Sequence, residues 1–439
     1  MKYVTFCIAG LSDRPAADLD GLTPLQAADT PTLDRLADMG KISRCRTLAQ
    51  GASVDGPEPL FSILGFDGRK QPVIDPGPIE ALGAGLEAPI HARIMRCDML
   101  SVDPASGEVH DHTQAGLSVT PAEFSTLTNA LDDMLTGEGL VDPDDLQFVC
   151  RIHEVPLLVS MSDADDASGS DVTPPAALIG RSLGRHRPSR RNSASNRLAT
   201  LISLSEQVFS NHEVNEARES VGLRPITHLW PWGGGLMPDV LHSGRAFAQQ
   251  HRLSGCMVSA SSQALGVAHR LGMPAIPAEP QTSATGGQAG GQPQPLLDAV
   301  NREIDALAGA VDTGRAIEAH DVTVIYVSGI DRLSLAGDFQ QKVQAIESLD
   351  RHLIRHIVDD RLIPAYSDDW RLSLIPVHGS DTAARTRLLD WVPTLIAGKD
   401  VSSLVSRTFN EQEAAESDLF VETGHDWMEY FLYGGLTGR

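Results

Sequence analysis

The sequence predicts an α/β fold: a mixed or parallel sheet covered on both faces and interrupted by a smaller α/β domain. Three observations predict it. Short apolar runs recur from one end of the chain to the other, segments with helical spacing separate them, and the texture changes over residues 89–180. Strands that alternate with helices imply parallel neighbours, and parallel strands are buried on both faces.

Taken in order, residues 3–8 (YVTFCI) empty into Ala9-Gly10-Leu11-Ser12-Asp13, the pattern of a buried strand followed by a loop. Thr30 is placed to cap a helix opening with Pro31, whose missing N–H costs nothing at a first turn. Apolar runs at 322–327, 372–377 and 394–396 predict three more strands. Val343, Ile346, Leu349, Leu353 and Ile357 share one helix face. Inside 89–180, residues 94–102 and 156–161 read as strands, and 121–135 as a helix capped by Thr120. The expected division is therefore 1–88 with 181–439, and 89–180 inserted. Residues 185–196, basic and Ser-rich, and 278–295, rich in Gly, Gln and Pro, are expected to be exposed flexible loops.

Composition narrows the function classes. The chain has 439 residues, 41% of them hydrophobic, enough for a sizeable core without staples. No run of about 18 apolar residues is present to span a membrane. The opening MKYVTFCIAGL lacks the pattern of a signal peptide, so a cytoplasmic location is expected. The 5 cysteines are scattered without a CxxC pair, which argues against a disulfide framework or a structural zinc site. Cys7 and Cys97 lie among apolar residues and are expected to be buried thiols. With 58 acidic and 35 basic residues the net charge is −23, which excludes nucleic acid and anionic lipid as bulk partners. Any anion site needs a local cationic cluster.

Ordered motifs run through most of the chain. Leu19-Asp20-Gly21-Leu22-Thr23-Pro24 leads to Thr30-Pro31-Thr32-Leu33-Asp34, then Ser62-Ile63-Leu64-Gly65-Phe66-Asp67, Gly77-Pro78-Ile79-Glu80-Ala81 and Arg96-Cys97-Asp98. Thr173-Pro174-Pro175, His212-Glu213-Val214-Asn215, Trp230-Pro231-Trp232-Gly233-Gly234-Gly235 and Val392-Pro393-Thr394-Leu395-Ile396 follow. No one motif is specific, but the ordered set resembles the archaeal-type cofactor-independent phosphoglycerate mutases. That resemblance implies an alkaline-phosphatase-like fold with an inserted substrate domain. It also implies phosphoryl transfer between the hydroxyls of glycerate through a phosphoserine, with two divalent metals (manganese, zinc or magnesium) stabilising the attacking and leaving oxygens.

Carried over residue by residue, the resemblance departs from the family at its centre. The first-strand aspartate falls on Ala9 and the nucleophile serine on Gly56. The aspartate and histidine of the next motif fall on Asp331 and Leu335, the later Asp-His pair on Val377-His378, and the last histidine on Arg387. On the substrate side, Leu117, Ala176-Ala177, Ser262 and Leu265 stand where polar residues are expected. Apolar side chains supply no lone pair to a hard cation. Asp331 and His378 remain as a vestigial metal pair, no catalytic residue is assigned, and no bound metal is expected.

Three readings stay open: a pseudoenzyme that binds a ligand or partner, an active mutase with a divergent site, and a structural subunit. Under the first, a cleft between the two domains is expected to hold Asp331, His378 and Arg387, with Ser53, Asp55 and Ser262 nearby, and to take a small anionic ligand or a protein partner. Ser53 and Asp55 would restore a nucleophile or a carboxylate only after a loop shift. Arg387 is read as a fixed, partly exposed cation beside Asp331, whose removal would abolish ligand binding at a cost in stability under about 1 kcal/mol. His110-Asp111-His112 is read as a solvated loop in preference to a metal cluster.

Overall fold

The computed structural model describes residues 1–48, 52–67, 75–89, 92–113, 116–137, 146–149, 156–160, 172–188, 193–237, 246–280, 296–403 and 407–434. They fall into two compact units, the first drawn from Met1–Val73, Gly244–Ala284 and Gln294–Arg439, the second from Ile74–Ser243. The strands, in chain order, are β1 Lys2–Ile8, β2 Lys41–Cys45, β3 Arg93–Val102, β4 Val109–His112, β5 Leu146–Val149, β6 Leu157–Ser160, β7 His228–Leu236, β8 Gly255–Ser259, β9 Ala275–Pro277, β10 Val322–Val327, β11 Trp370–Pro376, β12 Gly379–Asp381, β13 Thr386–Leu388, β14 Val392–Gly398 and β15 Phe420–Val421.

In the first unit an eight-stranded sheet has the order β15-β2-β14-β11-β1-β10-β8-β9. β1 pairs in parallel with both β10 and β11, and β8 and β9 extend that parallel half. β14 is antiparallel to β11 and to β2, so the sheet is mixed, with the mostly parallel half on the β1 side. The core is where apolar periodicity placed it: Val4, Phe6 and Ile8 of β1 are fully buried, as are Ile346, Leu349, Leu353 and Ile357 on the long helical segment that begins at Phe339. Cys7 and Cys97 are buried thiols, and burial pushes Cys7 up to about 12.

The second unit centres on β3, which pairs antiparallel with β4, β6 and β7. It is wider than 89–180. β7 lies along most of β3, the helix Pro76–Gly83 packs on both strands, and the helix Ser193–Phe209 packs on β7. The sequence HLWPWGGGL lacks the alternation of a half-buried strand, and eight of its nine residues are buried, which is why its membership was not visible as a period.

Three local expectations change. Thr30 makes no side-chain cap; the Asp350 carboxylate instead accepts from the N–H groups of Thr32 (3.1 Å) and Leu33 (2.8 Å), a long-range cap that local sequence cannot reveal. His110, Asp111 and His112 belong to β4, with Asp111 and His112 buried and Arg224 on Asp111 at 3.2 Å, because pairing with β3 draws the segment out of solvent. Residues 193–196 open a helix, while 189–192 and 281–295 lie outside the described residues. Thr120, by contrast, does cap its helix: its hydroxyl accepts from Glu123 N at 3.1 Å and Glu123 Oε2 accepts from Thr120 N at 2.7 Å. Among the described residues, no helix is long and apolar enough to cross a membrane.

Candidate functional site

Loops at the ends of adjacent strands build the centre of the first unit. β10 runs into the helix Gly329–Ala336, whose first turn carries Asp331. β11 ends at Pro376, so His378 stands in the link to the hairpin of β12 and β13, and Arg387 lies opposite Ser380 in that hairpin. Gly10, just after β1, is held at φ 68°, and a Cβ there would come within 2.7 Å of Asp331 Cα. The absence of a side chain at Gly10 therefore lets the β1 loop press against the Asp331 turn.

Arg387 ties this centre together. Its Nε and Nη2 donate to Asp331 Oδ2 at 3.0 and 2.6 Å, and its Nη1 donates to Asp55 Oδ1 at 2.8 Å. The side chain is only 16% exposed and Asp331 6%. Burial opposes the guanidinium's charge, but Asp331 and Asp55 more than offset it and raise its pKa. Burial likewise works to raise the Asp331 carboxyl, and the charges of Arg387 and His378 outweigh it, leaving the carboxyl below its ordinary value. His378 Nδ1 donates to the Gly379 carbonyl at 3.0 Å, since a carbonyl only accepts. Burial pushes the imidazole down against the pull of Asp331, and its Nε2 stands 3.7 Å from Asp331 Oδ1. That Oδ1 is buried and has no hydrogen-bond partner among the described residues.

Four of the six expected site residues, Arg387, Asp331, His378 and Asp55, thus share one cluster. Ser53 joins indirectly, its hydroxyl accepting from Asp55 N at 3.2 Å. Ser262 is on a different element, the first turn of the helix Ser262–Arg270 after β8. The expectation that Arg387 is a lightly anchored side chain does not hold, because its fork is spent on two carboxylates.

Sequence reasoning missed a second buried ion pair. Lys342, fully buried on the helix Phe339–Ser348, donates to Asp13 Oδ2 at 2.6 Å. Thr382 gives Asp13 its N–H (3.1 Å) and its hydroxyl, while Asp13 N donates to Glu411 Oε1 at 3.0 Å. Burial lowers the Lys342 pKa despite Asp13, and burial raises that of Glu411. A lysine on an amphipathic helix reads as solvated; only the polar loop after β1, with Asp13, hinted at a partner.

A third polar group lies in the second unit, on motif residues the sequence did single out. Arg96 stands 3.4 Å from Glu80 and 4.9 Å from the Trp232 ring centre, and Trp232 Nε1 donates to Asp98 Oδ2 at 2.7 Å. Burial works to raise Asp98, but hydrogen bonding from His112 and the charge of Arg96 bring it down to about 2.

Two divalent ions do not fit the centre of the first unit. Among the described residues, no three His, Cys, Asp or Glu side chains converge as a metal would need. Asp331 Oδ2 and Asp55 Oδ1 already serve Arg387, and the other lone-pair atoms of the cluster, Asp331 Oδ1, Asp55 Oδ2 and His378 Nε2, sit beside its fixed positive charge. Three donors beside a guanidinium are too few for two divalent ions, each of which takes four or more ligands.

Fold and sequence define first a class and then a family. A Pyrococcus horikoshii protein of solved structure superposes with a TM-score of 0.63, covering 98% of this chain and 96% of that one at 20% identity, a likeness of fold. The family model described as 2,3-bisphosphoglycerate-independent phosphoglycerate mutase matches residues 37–215. The enzyme named 2,3-bisphosphoglycerate-independent phosphoglycerate mutase 2 of Methanothermobacter thermautotrophicus is 30% identical over 433 residues, 98% of this chain and 97% of its own. A namesake from Methanothrix thermoacetophila is 26% identical across 99% of this chain and 100% of its own. The chain belongs to the 2,3-bisphosphoglycerate-independent phosphoglycerate mutase family.

Proposed function

We propose that this chain is a phosphoglycerate-mutase-like protein that has given up metal-dependent phosphoryl transfer and acts by binding a small ligand or a protein partner. One observation carries the reading: the Arg387 guanidinium, at the position where the family resemblance puts a metal-binding histidine, bridges Asp331 and Asp55. A tethered cation there neutralises carboxylate charge that would otherwise call for a dication. The residues at the other implied ligand and nucleophile positions, Ala9, Gly56, Leu335 and Val377, bring no lone pair to complete such a site. Without a serine and an activating metal the phosphoserine route has no start.

The cluster itself suits a metabolite anion less well than its arginine suggests. One guanidinium faces two carboxylates, so a phosphate approaching Arg387 must compete with both. Binding through Arg387, His378 and Asp331 therefore ranks below binding elsewhere on the scaffold. The second reading, an active mutase with a divergent site, draws on the 30% identity to a named mutase along nearly the whole chain.

Enolase-coupled turnover of 3-phosphoglycerate and elemental analysis of protein prepared without chelator separate the two. The expected result is no turnover above background, with or without manganese, and less than one metal per chain. Turnover near about 1 s⁻¹, the low end for enzymes, or two equivalents of manganese or zinc, would establish the active mutase instead.

A further inference from the structure

Two other arginines of the first unit have no such partners among the described residues. Arg44 and Arg46 flank Cys45 at the end of β2; Cys45 is fully buried, so the arginines leave by the opposite face. β14 pairs with β2 so that Val392 meets Cys45 and Pro393 meets Arg44, a register that sets Trp391 across from Arg46. The Arg46 guanidinium lies 4.8 Å from the Trp391 ring centre and that of Arg44 5.6 Å. Phe420, opposite Arg44 in β15 and 51% exposed, meets Trp391 edge-on at 6.0 Å.

Charge makes this group unusual. The chain carries a net −23, yet among the described residues no carboxylate pairs with Arg44 or Arg46. Arg44 Nε is buried with no hydrogen-bond partner among the described residues. By contrast the exposed Arg14, Arg35 and Arg351 each hold an aspartate. A guanidinium lying over a ring is steadied by the ring's quadrupole while spending none of its N–H donors on it. The planar fork of each arginine then matches an oxyanion two bonds at a time. Because one indole holds both cations, part of the ordering cost of binding is met before a ligand arrives. Trp391 also borders a cavity of about 400 Å³ whose lining includes Leu22 and Leu388 but also Asp13, Asp390 and Glu411, and neither Arg44 nor Arg46; the anion's place is therefore at the two arginines, and the cavity admits only an uncharged part of a ligand.

We propose that Arg44, Arg46 and Trp391 form a binding site for a small ligand that carries a phosphate or carboxylate group, its anion held by the two guanidinium groups and its body laid along the indole. The site stands independently of whether the Arg387 centre is catalytic.

Calorimetric titration of the full chain at low ionic strength tests it, with pyrophosphate and malonate as separate probes. Saturable binding to one site is expected, weakened about tenfold or more in Arg46→Gln and in Arg44→Gln and unchanged in Arg351→Gln. Tighter pyrophosphate assigns the anion as phosphate, tighter malonate as carboxylate. Melting temperatures are read alongside. Where a glutamine variant does not fold, Arg46→Lys serves in its place, keeping the charge but losing the fork, and weaker binding is expected there as well. No saturable heat up to about 10 mM of either probe, or equal affinity in wild type and the Arg46 variant that folds, overturns the proposal.

Discussion

Lys342 and Arg387 are both buried cations held by aspartates of strand-end loops, but they are balanced in opposite ways. Lys342 meets one carboxylate, and Asp13 fills its remaining capacity with neutral donors, the N–H and hydroxyl of Thr382 and the N–H of Arg14. Arg387 meets two carboxylates, and Asp331 keeps one oxygen without a hydrogen bond among the described residues. The first sets one ammonium on one carboxylate, with Glu411, whose pKa burial raises, as the neighbour of Asp13. The second carries an excess negative charge around a single guanidinium.

The comparison is broken or upheld most directly at Arg387. Arg387→Ala leaves two carboxylates facing each other in a nearly closed space, and a loss of about 3–5 kcal/mol is expected from denaturant unfolding. Adding Asp331→Asn and Asp55→Asn to Arg387→Met should recover most of it, because the charges then vanish together. The pH dependence has a definite sign. In the wild type the Asp331 carboxyl sits below its ordinary value, so its contribution is complete above about pH 4 and fades as pH falls through the folded value. Without the guanidinium, burial dominates and raises that pKa, so the deficit of Arg387→Ala should shrink on acidification. A loss under about 1 kcal/mol, flat with pH, would mean that solvent already screens the cluster.

Lys342→Met should cost less, about 2–3 kcal/mol, although Lys342 is the more buried of the two. Asp13 keeps three donors after the lysine is gone, and they carry part of the charge. Unfolding of the pair Lys342→Met with Asp13→Asn should return close to wild type. If Lys342→Met proves costlier than Arg387→Ala, burial rather than charge balance ranks these sites.

The two groups also differ in how far they could be read in advance. Asp331, His378 and Arg387 were legible because ordered motifs fixed the register of the chain around them, and Asp55 because it lies close to Gly56. The strands at 322–327 and 394–396 were legible because runs of β-branched and leucine side chains have few other uses. Lys342 was not, since helical periodicity assigns a lysine to the solvent face and says nothing about a loop more than three hundred residues away. The extent of the second unit was hidden for a related reason: β7 is buried on both sides and contains proline and three glycines, so neither alternation nor propensity marks it as a strand. Long-range pairing made those assignments, and single-sequence periodicity carries no information about it.

Asp350 supplies the smallest effect and the cleanest limit to the comparison, being a buried carboxylate with no cation paired to it among the described residues. It accepts from Thr32 N and Leu33 N, the first free donors of the helix Pro31–Met39, since Pro31 has no N–H to offer. Thr32 and Leu33 are 5% and 0% exposed, so in Asp350→Ala water does not readily replace the lost acceptors. Leaving two amide donors without acceptors would by itself cost about 1–3 kcal/mol each at most. Against that, burial already pushes the Asp350 carboxyl upward, which means that its ionised form is held at some expense and that the variant is relieved of it. The two terms oppose each other, and a net loss of about 1 kcal/mol is expected, in the range measured for helix caps. Chemical denaturation near pH 7 reads it. A loss equal to that of Lys342→Met would show that backbone donors stabilise a buried carboxylate as well as an ammonium does, and the ranking by charge balance would fail at its lower end.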